Sequence, residues 1–337
     1  MLFKDPFIRN LEAEAYRENF LVSAIVSIFV IRIFLKITNY PSLGSGDFHI
    51  AHMLFGGLFM LSSIIVLLSF LNKATVSLAS ILGGIGFGAF IDELGKFITR
   101  DNDYFFQPTI AFIYIIFVLL YLLTRLIPRY RAISQREYLI NAIEMIKESA
   151  ISDFDIEDEK RAKEYLEKSD SKNYVVQAAK KLLARIERSP SSRPNIFAKF
   201  RILFRVWYYK IARSGMVLNF ILIFLVVQTL RLFLQSASLF AFKPSLPFYE
   251  WGQLLSSLLA GAFILIGFLI LRFSKFEAYR FFRIAMLITI LLTEFFAFMK
   301  FQWYELIGLA ANLFILGVIN YTMLMERIKS KKHVLQK

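Results

Sequence analysis

With 337 residues, 57% of them hydrophobic and 16% aromatic, including 37 Phe, the chain carries more apolar surface than a water-soluble fold of this size can hide. Its formal charge of +14 would suit a nucleic-acid binder, but the Lys and Arg flank apolar runs on one side. That is the positive-inside pattern of a membrane protein, and no nucleic-acid partner is expected. The absence of Cys excludes disulfides, thiolate metal sites and a thiol nucleophile.

Residues 1–19, MLFKDPFIRNLEAEAYREN, are charged and amphipathic and lack a short apolar core before a small-residue cleavage site. They read as a cytosolic interfacial lead-in with no signal peptide. A helix needs about 20 apolar residues to cross the hydrocarbon layer. Windows of that length predict an all-α, polytopic integral membrane protein with eight transmembrane helices. Four fall in a first half, residues 20–128, at 20–37, 50–71, 76–97 and 108–127. Four more fall in a second half, residues 214–326, at 215–234, 251–272, 282–299 and 303–325.

Between the halves, residues 129–213 turn polar. Amphipathic helical patterning in REYLINAIEMIKESA, EDEKRAKEYLEKS and NYVVQAAKKLLARIERS predicts a helical cytosolic insertion, whose helices pack on one another or dock a cytosolic protein partner. The insertion closes on PNIFAKFRILFRVWYYKIARS, where basic and aromatic residues alternate as in a helix lying in the headgroup layer. Residues 327–337 form a basic tail. Arg125, Arg129, Arg131 and Arg136, then Arg201, Arg205, Lys210 and Arg213, then Arg327, Lys329, Lys331 and Lys332 all belong in the cytosol. Both termini are therefore expected inside a cell membrane, with NYPSLGSGDFH, TRDNDYFFQ and AFKPSLPFYE on the outer face. Arg32 and Lys36, near the outer end of the first span, either snorkel to headgroups or pair with acids inside the bundle.

Ionisable groups within hydrocarbon cost on the order of 3 kcal/mol each on insertion scales. Here Arg32, His52, Asp92, Glu93, Lys96, Arg231 and Glu294 gather in the outer halves of their spans. In Asp47-Phe48-His49-Ile50-Ala51-His52, an i, i+3 spacing puts both imidazoles on one helix face with Asp47 beside them. Such a set suits a divalent metal such as zinc; equally, Asp47 caps the helix and the two His are polar ends at the water interface. Further on, Gly83-Gly84-Ile85-Gly86-Phe87-Gly88 lies inside an apolar span with no preceding strand, so the glycines serve close helix approach and not a dinucleotide. Asp92 and Lys96, four apart, are expected to pair on one helix face. Asp92, Glu93 and Lys96 are the candidate catalytic or proton-carrying groups.

The short 72–75 connection makes the second and third spans an antiparallel hairpin, so His49, His52, Asp92, Glu93 and Asp103 are expected to converge. Asp101, Arg231, Glu294 and Glu305 complete the candidate pocket, the last two as its far wall.

The stretch FIDELGKFITRDNDYFFQP resembles a signature of uncharacterised prokaryotic multi-pass membrane proteins, a likeness that implies no reaction. An Asp and His opening one span, followed by a glycine-bearing span ending in an acid and an Asp/Asn turn, is similar to the layout of VanZ-like proteins. That family's Glu-x-x-Gln and its later Arg before the Asp are not reproduced, so the likeness reaches only His52, Glu93 and Asp103. No His-Glu-x-x-His motif occurs, and three His are too few for histidine-box desaturases. Gly44-Ser45-Gly46 lies in a loop with no later membrane His, against a rhomboid-like protease. Three functions stay open: a membrane-embedded, metal-assisted enzyme acting on a lipid or envelope substrate at the outer face, a proton- or ion-coupled transporter, and a non-catalytic docking protein.

Overall fold

The computed structural model describes residues 7–39, 52–101, 103, 106–126, 132–151, 154, 156–186, 217, 220–228 and 247–335. Among these every regular element is helical and no strand occurs. Five helices are long and apolar enough to cross a membrane, Ala13–Ile37, His52–Ser69, Lys73–Asp92, Phe248–Ile270 and Lys275–Glu326, with a shorter apolar helix at Thr109–Thr124. The last of the five covers 52 residues and takes in two of the predicted spans. The predicted elbow helix and most of the 215–234 span lie outside the described residues. By contacts the chain forms two compact units, residues 1–104 with 119–194, and residues 105–118 with 195–337.

In the first unit, α1 (Ala13–Ile37) and α2 (His52–Ser69) both pack on α3 (Lys73–Asp92). The glycine-rich run explains how. A methyl group on Gly84 or Gly88 would overlap the α1 carbonyls of Phe20 or Ala24, and Gly56 and Gly86 would each collide with the other's carbonyl. Backbones this close let side-chain hydroxyls bond across: Ser27 donates to the Ile85 carbonyl at 3.0 Å and Ser63 to the Ala79 carbonyl at 2.6 Å. The outward faces stay apolar and uncovered; only 11% of the apolar window of α2 is buried, and Leu54, Leu58 and Leu68 stand exposed.

α3 ends earlier than its apolar window. After the glutamate turn at Glu93 comes only a short helix, α4 (Leu94–Ile98). The insertion follows α5 (Thr109–Leu126) as α6 (Gln135–Lys147), α7 (Ile156–Glu167) and α8 (Tyr174–Leu183), closed around Phe154, Ala162, Leu166 and Val176. Ser134 and Glu137 form a capping box that starts α6, and Asn173 caps α8.

The insertion is strapped to the start of α1 and to the α2–α3 turn. Arg9 grips Glu137 with Nε at 2.8 Å and Nη2 at 2.9 Å. Asn141 accepts from the Leu11 N–H at 2.9 Å and donates to the Arg9 carbonyl at 2.8 Å. Glu12 receives both Arg161 and the Tyr165 hydroxyl. Lys73 reaches Asp158 at 2.7 Å and its N–H donates to Glu148 at 3.0 Å. The N-terminal segment, the α2–α3 turn and the insertion thus share one end of the α1–α3 bundle.

In the second unit, α9 (Phe248–Ile270) packs on α10 (Lys275–Ile288), and Gly252 and Gly267 of α9 admit the rings of Phe296 and Phe282. A π turn at Thr289–Thr293 joins α10 to α11 (Glu294–Phe301). Gln302, at φ 50, breaks the helix before α12 (Glu305–Leu335). Ile221, Leu225, Phe282, Met286, Val318 and Ile319 form the core.

Two expectations test this packing. Gly88→Ala drives a methyl into the Ala24 carbonyl and should lower stability by about 2 kcal/mol, whereas Gly57→Ala, with nothing within 4 Å, should be neutral; thermal unfolding in detergent separates them. The Arg9 guanidinium holds the Glu137 carboxyl well below its ordinary value of 4.5. Its stabilisation is therefore complete above that value and is lost as pH falls through the depressed one. Glu137→Gln should cost about 3 kcal/mol at neutral pH and remove this acid-dependent loss, read by proteolysis of the 135–183 region.

Candidate functional site

At the end of α1–α3 opposite the insertion, α1, α2, α3 and the short α4 bring five ionisable side chains together. Asp92 closes α3 and Glu93 follows it; both residues are 0% exposed. Arg32 comes from α1, with Nε 2.6 Å from Asp92 Oδ1 and Nη2 3.1 Å from the Asp92 carbonyl. His52 opens α2 and lies between the acids, with Nε2 3.2 Å from Asp92 Oδ2 and Nδ1 2.7 Å from Glu93 Oε1. Lys96, in α4, stands 3.6 Å from Glu93 Oε1. The chain of contacts runs Arg32, Asp92, His52, Glu93, Lys96.

The two carboxylates balance Arg32 and Lys96, so a neutral His52 leaves the group uncharged and a protonated one adds a single positive charge. His52 Nδ1 and Lys96 Nζ approach Glu93 Oε1 at ion-pair distances, and among the described residues no hydrogen bond of good geometry reaches either Glu93 oxygen. Exposure is graded: the side chains of Arg32, His52 and Lys96 are 15, 21 and 25% exposed, while Asp92 and Glu93 sit at 0 and 1% behind them. The cluster presents two cations and an imidazole outward over buried carboxylates.

Of His49, His52, Asp92, Glu93 and Asp103, expected to converge across the hairpin, the structure brings His52, Asp92 and Glu93 together. The expected Asp92–Lys96 pair assumes an unbroken helix; because the helix ends at Asp92 and the chain turns at Glu93, the cation set against Asp92 is Arg32, and Lys96 approaches Glu93. Of the two cations near the end of α1, Arg32 pairs inside the bundle and Lys36 is exposed. Asp101 is an exposed turn residue, and the Asp103 N–H donates to Thr99 at 2.8 Å.

Asp47, His49 and Arg231 lie outside the described residues. Among the described residues no group of three His, Cys, Asp or Glu could hold a metal ion, and both ring nitrogens of His52 face carboxylates. Glu294 and Glu305 belong to the second unit, where Glu294 Oε1 accepts from Asn312 Nδ2 at 2.5 Å and Lys300 pairs with Glu250 at 3.1 Å. Asn312, Glu250 and Lys300 carry no spacing signal that singles them out. A polar residue within an apolar span is the one sign by which they could have been found.

No protein-family model matches the chain, and no curated protein or solved structure matches it.

Removing one partner of a buried pair strands the other. Arg32→Ala should therefore destabilise the protein by about 3 kcal/mol. Arg32→Ala combined with Asp92→Asn should lose less than the sum of the single changes, read as a double-mutant cycle on thermal unfolding.

Proposed function

We propose that this chain is a multi-pass cell-membrane protein with both termini cytosolic, and that its Arg32–Asp92–His52–Glu93–Lys96 cluster is the acid–base centre of an enzyme acting on an anionic lipid or envelope precursor at the outer face. The apolar helices with uncovered outer faces support membrane embedding, since such surfaces are costly in water. The observation that carries the site is its layering, with the partly exposed Arg32, His52 and Lys96 over two buried carboxylates. A phosphate-bearing headgroup would meet Arg32 and Lys96 first. His52, held between Asp92 and Glu93, is then placed to give or take a proton, with Glu93 beside it as the second proton holder.

The VanZ-like layout agrees with this reading at His52 and Glu93. A metal-assisted form would add Asp47 and His49 to His52, and elemental analysis of wild type against His49→Ala/His52→Ala decides it.

The transporter reading has one favouring observation, an imidazole bridging two buried carboxylates, and predicts proton flux in liposomes that His52→Gln abolishes. The docking reading has less: Glu137, Asn141, Asp158 and Tyr165 of the insertion engage the chain's own first segment and α3.

Purified protein should bind vesicles containing phosphatidylglycerol more tightly than phosphatidylcholine vesicles. Lys96→Gln should weaken that preference about tenfold, and Glu93→Gln should keep the binding while abolishing any change in the lipids seen by mass spectrometry. Equal binding of both lipids by wild type, or lipid conversion retained by Glu93→Gln, would sink the proposal.

A further inference from the structure

The second unit holds a carboxylate that nothing in the preceding mechanism uses. Glu294 is 2% exposed and begins α11 directly after the π turn Thr289–Thr293, a helix irregularity frequent at functional positions. Its Oε1 accepts from Asn312 Nδ2 at 2.5 Å, whereas its Oε2 is buried and has no hydrogen-bond partner among the described residues. A second carboxylate stands on the same side. A methyl group on Gly308 would lie 2.5 Å from Glu305 Oε1 and 3.9 Å from Glu294 Oε1, so the bare glycine leaves room between the two acids.

Among the described residues the neighbouring elements bring an amide donor, hydroxyls and a second carboxylate toward Glu294, and no cation. From α12 come Asn312 and Glu305; next to Glu294 the Thr293 hydroxyl meets Ser256 of α9 at 3.1 Å. From α5, Tyr114 donates its hydroxyl to the Ile290 carbonyl and lies within electrostatic reach of Glu294. The nearby ammonium of Lys300 is paired with Glu250 of α9. Among the described residues no cation pairs with Glu294. An ionised carboxylate buried with one amide donor and an acidic neighbour is strongly undersatisfied.

We propose that Glu294, with Asn312 and Glu305, forms a site for a small exchangeable monovalent cation, proton or sodium, in the second unit. Either ion neutralises the buried charge. A proton on Oε2 turns the orphan acceptor into a donor, and sodium would take the carboxylate oxygens as ligands, with the Asn312 amide, whose nitrogen now faces Glu294, turned to present its oxygen. Gly308 keeps the space, and the π turn sets Glu294 toward α12 while Thr293 stays on Ser256. The site draws on residues of one unit only and does not depend on the acid–base reading of the His52 cluster.

Dicyclohexylcarbodiimide tests this on the intact protein in detergent, because it modifies protonated carboxyl groups in apolar surroundings. Peptide mass spectrometry should find the adduct on Glu294, falling at least about tenfold as the pH is raised through the carboxyl's titration, and none at that position in Glu294→Gln. Slower labelling in sodium chloride than in potassium chloride assigns sodium; equal rates in the two salts assign the proton alone. Absence of an adduct on Glu294, or an adduct whose yield ignores pH, would overturn the proposal. The wild-type reading is independent of whether the variant folds.

Discussion

Two adjacent carboxylates, Asp92 and Glu93, are completely withdrawn from solvent at the end of α3, and most of the first unit can be understood as what that burial demands. A buried carboxylate left alone costs several kcal/mol, so cations must come to it from other helices. Arg32 does so from α1, and the His52 imidazole joins from α2; both helices have to approach α3 almost backbone to backbone. Gly56, Gly84, Gly86 and Gly88 remove the side chains that would prevent this. The small-residue stripe and the charge cluster are in that sense one device: the first sets the interhelical distance that the second requires.

The opposite end of the same bundle is held by different means. There the insertion's own core presents Glu137, Asn141, Asp158 and Arg161 to the first residues of α1 and to Lys73. Apart from the neutral Asn141 amide these are charge-assisted bonds, each modest alone and directional together. The bundle is thus clamped at one end and charge-locked at the other. That geometry keeps the five ionisable groups at fixed spacings, which the proposed acid–base chemistry would require.

The second unit solves a similar problem differently. Its buried acid has an amide and a second acid as neighbours instead of an arginine, and its helix departs from regularity on both sides, with a π turn before Glu294 and a positive-φ break at Gln302. Lys300 and Glu250 neutralise one another nearby. The first unit's acids are compensated internally, and Glu294 is left for a mobile charge.

Much of this was legible from residue order. Windows of apolar residues place the long helices, the polar stretch after residue 129 marks the insertion, and the short connection read at residues 72–75 makes a hairpin that carries His52 toward Asp92 and Glu93. The glycines announce close approach because they stand inside an apolar run. What residue order could not supply was which neighbour faces each polar group. Lys96 looked like the partner of Asp92 until the helix ended at Asp92, and Arg32, 60 positions away, took the place. Arg9 with Glu137, 128 apart, and Glu294 with Asn312, on helices separated by a break, are equally silent. Periodicity reports that a helix has a polar position and on which face. The rotation of one helix about its axis against the next decides what that position meets, and only packing in three dimensions sets it.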